Sequence, residues 1–403
     1  MRFDFGFYSS LLLIFFSQGI IYGILLLIKA FQNNNKSNYW LSIFIFLCSL
    51  YIAPWMLGFA GWYDNQPYRD ILFYIPLQHL LLIGPIIFFY TQSLLNPNFE
   101  ISKRNWLHFI PGLVYLLYII SIWIYDQFIF GDYYFYENGM DKDFDNWYQK
   151  TGLVSMLIYF ILTIRYYNLY KKLMFQVVSY ADTILFKWIK TYLYSFLIML
   201  LLPVIFDIIT LINPELASYK GSWWFFLFFS IIMNYIAISG YSNPVIAKIP
   251  FKISVFDKQP IMLLSENKNQ YTEEIIDLAH EVFEEKISPE LTIWKQKIED
   301  LLVENKLYQN PELTLNDVAQ KLETNASVIS KTINQGFQLN FNDFINQYRI
   351  DAIKNAFDNN EHKKSTLLGI AFDCGFNSKA TFNRAFKKNT GYSPKEYLEK
   401  RSA

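Results

Sequence analysis

Two short runs near the C-terminus carry side chains suited to reading the edges of base pairs. The first holds Ser327, Ser330 and Lys331, the second Ala380, Asn383 and Arg384. In a major groove asparagine suits adenine and arginine suits guanine. Lys379, Lys387, Lys388 and, closer to the C-terminus, Lys395 are placed to neutralise phosphates. A second set lies in apolar surroundings: Gln18, Gln78, His79, Asp207 and Asn234. Ionisable groups inside a bilayer are costly, so this set marks a candidate signal pocket. The competing role is hydrogen bonding between packed helices. Chemistry of other kinds finds no support. HExxH, GxSxG, Walker and paired-carboxylate patterns are missing, and Cys48 and Cys374 have no CxxC partner. His108, His280 and His362 stand alone, whereas a metal site needs three or four convergent ligands. The expectation is a protein with no catalytic residue, no metal and no cofactor, and so not an enzyme.

The base-reading candidates fall at matching places in an internal repeat. Leu315–Ile333, LNDVAQKLETNASVISKTI, is echoed by Leu367–Phe386, LLGIAFDCGFNSKATFNRAF. Val318-Ala319 matches Ile370-Ala371, and Leu322 matches Cys374. With one extra residue in the second turn, Ile329, Lys331 and Ile333 match Phe382, Arg384 and Phe386. Each copy reads as two helices joined by a tight turn. Ala319 and Ala371 let the helices approach, and Gly375 supplies a turn that a Cβ would resist. Asn325 and Ser378 stand at the starts of the second helices as N-caps. Ile329 and Ile333, like Phe382 and Phe386, are four apart and point to a core, which leaves the reading residues on another face. Between the copies Phe341, Phe344, Ile345, Tyr348, Ala352, Ile353 and Phe357 form one long amphipathic helix that fixes the distance between the two readers.

The stretch from about Pro311 to Tyr397 resembles the DNA-binding domain of AraC/XylS-type transcription regulators. The resemblance rests on IAFDCGFNSKATFNRAFKKNTGYSPKEY, Ile370 to Tyr397, preceded by FNDFINQYRIDAI across the linking helix. It implies two recognition helices that enter successive major-groove segments on one face of double-stranded DNA. The base-facing residues it implies are the six named above. The first helix departs from the pattern, because serines and Lys331 replace larger readers.

Upstream the chain changes physical class. Overall it is 53% hydrophobic and 19% aromatic, above the range of one soluble globular chain. Charged residues are sparse up to about Tyr241 and dense from Lys248. Seven apolar stretches are each long enough for a hydrocarbon core, near Phe7–Ile28, Tyr39–Ala60, Ile71–Leu94, Trp106–Tyr125, Gly152–Tyr170, Trp188–Ile212 and Trp223–Tyr241. The first is too long for the core of a cleavable signal peptide. Lys29, Lys36, Lys103, Arg104, Arg165, Lys171, Lys172, Lys187 and Lys190 lie in or beside odd-numbered loops. Of the even loops the second has only Arg69 and the sixth only Lys220, while the fourth carries Asp132, Glu137, Asp141, Asp143 and Asp145. The positive-inside rule then puts the N-terminus outside and the C-terminus in the cytoplasm.

The expected fold is all-α: a polytopic transmembrane bundle of about seven helices, then an all-helical domain with two helix-turn-helix units. The expected divisions are 1–247 for the bundle, 248–289 for a linker and 290–403 for the DNA-binding domain. Within the linker Tyr271–Lys286 reads as an amphipathic helix, suited to a neighbouring domain or to a second copy in a homodimer. Three functions stay open on these residues. The bundle senses a signal ligand and controls transcription; it is a passive anchor for a regulator released by proteolysis; or it is a transporter-like bundle with an appended regulator. All three place the chain in the cytoplasmic (inner) membrane, with lipid and DNA as partners.

Overall fold

The computed structural model describes residues 4–134, 145–181, 186–242, 251–252, 261–267, 270–275 and 289–402. The chain forms two compact units. The first takes Met1–Arg165 and Lys187–Lys248, the second Tyr166–Phe186 and Ile249–Ala403. The segment Tyr166–Phe186 thus belongs with the C-terminal domain, which the sequence divisions did not foresee.

The helices of the first unit are α1 (Phe7–Asn33), α2 (Lys36–Phe59), α3 (Tyr68–Tyr74), α4 (Leu80–Leu95), α5 (Ile110–Ile124), α6 (Asp145–Val177), α7 (Phe186–Ile212) and α8 (Tyr219–Ser242). Both α6 and α7 run across the division between units. Six helical stretches are long and apolar enough to cross a membrane, and Leu80–Leu95 is a shorter apolar helix. Their outward faces carry large apolar side chains such as Ile21, Leu117, Ile158, Ile198 and Phe228. In water that surface would be untenable; in lipid it costs nothing. At the centre, α2 packs on α1, α4 and α8. The Ser42 hydroxyl donates to the Gly23 carbonyl oxygen at 2.7 Å, and Lys29 Nζ donates to that of Tyr241 at 2.7 Å.

The third span departs from the sequence reading. In place of one helix over Ile71–Leu94, α3 stops at Tyr74 and α4 begins at Leu80. The cause is Pro76, which lacks an N–H and disfavours helical geometry in the residue before it.

The second unit also holds a three-stranded antiparallel sheet, β1 (Phe251–Lys252), β2 (Ile261–Asn267) and β3 (Gln270–Ile275), in the order β1-β2-β3. This corrects the start of the amphipathic helix expected over Tyr271–Lys286. Tyr271 to Ile275 pair with Ser265 to Ile261 in a hairpin, a pairing with upstream residues that the local spacing of three and four does not report. The remainder of that stretch lies outside the described residues. Otherwise the unit is helical: α9 (Pro289–Glu304), α10 (Leu315–Lys321), α11 (Ala326–Lys331), α12 (Phe341–Asp358), α13 (Leu367–Asp373), α14 (Lys379–Thr390) and α15 (Pro394–Ser402). Sequence reasoning passed over α9. It buries Ile298 and Leu302 and packs on the turn that follows α11.

Candidate nucleic-acid interface

The repeat folds as two helix-turn-helix units, α10–α11 and α13–α14, with α12 between them. Each begins with a capping threonine. Thr314 and Asp317 form a reciprocal capping box on α10, and the Thr366 hydroxyl accepts from the Gly369 N–H at 3.0 Å on α13. The threonines precede the matched leucines, so the repeat starts one residue earlier than the apolar pattern shows. Ala319 and Ala371 are buried at the helix crossings. At the turns Glu323 has φ +51° and Gly375 has φ +96°. Both units use a left-handed residue at the same position, but only the second supplies the residue type that suits it.

The second helix of the second unit, α14, matches its sequence pattern closely. The Ser378 hydroxyl accepts from the Thr381 N–H at 3.1 Å and starts α14. Thr381, Phe382 and Phe386 are buried, the phenylalanines in a core with Ile350, Ile353, Phe357, Ile370 and Phe376. Lys379, Ala380, Asn383, Arg384, Lys387 and Lys388 all lie outside that core, on the accessible side of the helix. Their spacing puts them in rows along one side of a helix. Partial burial holds the Arg384 guanidinium below its ordinary value. Lys388 is already engaged, with Nζ 2.7 Å from Asp343 Oδ2 in the first turn of α12. Lys395 lies 3.7 Å from Glu399. Burial pushes the Cys374 thiol up to about 11, so it stays protonated at neutral pH and behaves as a small apolar group.

The second helix of the first unit, α11, matches less well. Asn325 sits at the N-terminal boundary of α11, but its side chain makes no capping bond. Ser327 and Lys331 are exposed. Ser330 is not: it is 4% exposed, and its hydroxyl is 3.5 Å from Asn334 Nδ2. On a helix this short, position 330 turns with Ile329 toward the core. The first unit therefore offers two outward side chains where the sequence promised three.

The five polar residues of the bundle lie on α1, in the break between α3 and α4, on α7 and on α8. Gln18 is exposed on α1, and Asp207 is exposed on α7 among exposed Val204, Ile205, Ile208 and Leu211. Asn234 is buried, and its Nδ2 donates to the carbonyl oxygens of Phe15 at 3.0 Å and Ser230 at 3.1 Å, which ties α8 to α1. Gln78 and His79 lie in the break between α3 and α4. There Gln149 Nε2 donates to Gln78 Oε1 at 2.7 Å, and the Tyr148 hydroxyl donates to the Gln78 carbonyl oxygen at 3.0 Å. An open cleft of about 690 Å³ is lined by other residues, among them Phe7, Tyr8, Asn213, Glu215, Lys220 and Trp223. Hydropathy located the polar groups within their spans; it could not say which way each helix face turns.

A family model described as a helix-turn-helix domain matches residues 318–400. The melibiose operon regulatory protein of Escherichia coli (strain K12) is 31% identical over 85 residues, 21% of this chain and 27% of that protein. An HTH-type transcriptional regulator of Staphylococcus aureus (strain COL) is 30% identical over 98 residues, 24% of this chain and 13% of its own length. The chain thus spans about a quarter or less of the curated relatives it matches. No solved structure matches. With two capped helix-turn-helix units on one linking helix and a match confined to that segment, residues 318–400 are a helix-turn-helix domain of the AraC type.

Proposed function

We propose that this protein is a membrane-bound, sequence-specific transcription regulator in which the helical bundle senses a signal and controls the DNA-binding domain. The observation that carries the reading is the row Ala380, Asn383, Arg384, Lys387 and Lys388 along the accessible side of α14, in a chain with six membrane-length apolar helices. α12 has 18 residues and so is about 27 Å long at roughly 1.5 Å per residue. That is the scale of the roughly 34 Å between successive major-groove segments on one face of DNA. One chain carries both reading helices, so a single copy suffices for two groove segments.

For the signal, the broken third span is the best-placed element. Irregular backbone at membrane depth is tolerated only where protein buries it or it lines a cavity. Gln78 and His79 sit in that break, and the polar side chains of Tyr148 and Gln149 on α6 hold Gln78 there. The anchor reading would instead require proteolytic release of the domain in cells.

Two experiments test the proposal. Selection of random-sequence duplexes on the full chain in lipid nanodiscs should enrich one motif with two contacted segments. Enrichment no better than on empty nanodiscs would sink the reading. Topology is the second test. The basic odd-numbered loops put the domain in the cytoplasm. A reporter active only outside should be silent when fused after Ala403 and active when placed near Asp141. The reverse pattern would put the domain on the side without DNA.

A further inference from the structure

A buried arginine in α12 holds a turn that belongs, by sequence, to the bundle. After Val177 ends α6, Val178, Ser179 and Ala181 are fully buried and Tyr180 nearly so, all inside the second unit. Val178 pairs with Thr314 in an antiparallel bridge, and the Ser179 N–H donates to the Leu313 carbonyl oxygen at 3.0 Å. Asn342 Nδ2 reaches the Val178 carbonyl oxygen at 3.4 Å. Arg349 closes the site: Nη1 donates to the Ser179 carbonyl oxygen at 3.2 Å and Nη2 to its hydroxyl at 2.9 Å. Earlier on α6, Tyr170 packs on Phe251 of β1 with ring centroids 5.2 Å apart.

The same guanidinium reaches both helix-turn-helix units. Its Nε donates to the Tyr308 carbonyl oxygen and its Nη2 to that of Asn310, each at 2.8 Å, in the segment that leads into α10. It also lies over the Phe376 ring, 5.6 Å from the centroid, just after the Gly375 turn. Arg349 is 1% exposed. Burial pulls it down to about 10, which leaves it charged at neutral pH. A buried charge whose donors lose their acceptors is strongly destabilised, so this side chain cannot ignore the departure of Ser179. Thr314, which pairs with Val178, is the cap of α10. Displacing the turn therefore disturbs the start of the first unit directly and the turn of the second through Arg349.

We propose that Val178–Ala181 is the input by which the bundle controls DNA reading, and that Arg349 is the positioning residue that receives it and keeps the two reading helices in register. This rests on the regulator reading above. α6 is well built for the task. Its 33 residues make a rod of about 50 Å at roughly 1.5 Å per residue, against a hydrocarbon core of about 30 Å. The helix runs unbroken to Val177, next to the docked turn, which gives the input a continuous route along the chain. A protein whose two readers are held in one spacing binds tightly because the second contact is made at high effective concentration. An undocked turn forfeits that advantage.

The test uses the full chain in phosphatidylethanolamine–phosphatidylglycerol nanodiscs. Two duplexes serve as probes: one selected on the wild type, and the same sequence with two base pairs inserted between the contacted segments. Ser179→Arg places a second cation against Arg349 in a fully buried position. Affinity for the selected duplex should fall about tenfold, and the preference over the inserted duplex should shrink to about twofold or less. Simple misfolding lowers the active fraction but leaves that preference unchanged. A second variant, Val178→Cys/Thr314→Cys, should form a disulfide on mild oxidation, and the oxidised protein should keep the affinity and spacing preference of its own reduced form. Failure to crosslink overturns the proposal, and so does a Ser179→Arg protein that discriminates the two duplexes as the wild type does. If the wild type itself selects no duplex, it is the DNA reading that fails, while crosslinking still decides whether the turn is docked.

Discussion

Gly375→Ala should open the second helix-turn-helix unit at a cost of about 2–5 kcal/mol, a large share of the roughly 5–15 kcal/mol that holds a domain of this size together. Two costs combine. The backbone there has φ +96°, where a residue with a Cβ is strained by about 1–2 kcal/mol. In addition the new Cβ would overlap the Tyr308 carbonyl oxygen and press on the backbone of Gln309 at 2.9 Å. Those are main-chain atoms fixed from the other side by Arg349, whose Nε holds the same Tyr308 oxygen, so they cannot swing away as a side-chain tip would. Gly391 is the matched control. It has φ +80°, but a Cβ there meets nothing within 4 Å. Gly391→Ala should therefore cost only the conformational part, about 1 kcal/mol. Hydrogen exchange of the α14 amides in nanodiscs measures both. Acceleration by about 30-fold or more for Gly375→Ala and by about fivefold for Gly391→Ala is expected, at about 1.4 kcal/mol per decade. Equal effects at the two glycines would mean that the contact with Tyr308 carries no weight.

How much of this was legible in the sequence depended on whether the signal was local. The repeat was, because Val318-Ala319 and Ile370-Ala371 mark the same crossing twice and periodicity sorts buried Phe382 and Phe386 from outward Asn383 and Arg384. The break in the third span was visible in Pro76, yet the hydropathy around it outweighed one residue. The β2–β3 hairpin was missed because Ile275, Leu278, Ala279 and Val282 suit a helix, while the pairing that decides the matter is with the residues of β2 upstream. The orientation of the polar bundle residues was hidden for a related reason. Which face of α1 or α7 turns inward is set by neighbouring helices, and nothing within Gln18 or Asp207's own span reports it. Arg349 lay in the open. Asn342, Asn346 and Arg349 form a polar row at helical spacing inside the otherwise apolar stripe of α12. A polar row in a core face asks what it binds. The answer, Ser179, comes from 170 residues away.

Arg384→Ala should weaken binding to the selected duplex by about 1–3 kcal/mol, roughly fivefold to 150-fold, and relax the base preference at one position only. Arg384 stands in the outward row of α14, a helix fixed by the Ser378 cap and by Phe382 and Phe386 beneath it. A guanidinium on so firmly held a helix can present its fork to guanine O6 and N7, and alanine leaves those acceptors unmet. Phosphate-binding lysines behave differently. Lys388→Ala should reduce affinity for all sequences alike and lower the salt slope by about 0.9 for the one phosphate it no longer neutralises. Its partner Asp343 complicates the outcome in a useful way. The 2.7 Å pair has an exposed lysine, so breaking it costs the fold little, of order 0–1 kcal/mol. If Lys388 leaves Asp343 for a phosphate on binding, Asp343→Asn should strengthen binding to all sequences, since the lysine no longer has a competing carboxylate. If it stays with Asp343, both substitutions should leave the salt slope unchanged. Binding curves at several salt concentrations, for the selected duplex and for a single-position mutant, separate the roles. Should Arg384→Ala shift every sequence equally and leave the motif intact, α14 would be holding the backbone, and base reading would have to be sought elsewhere on the domain.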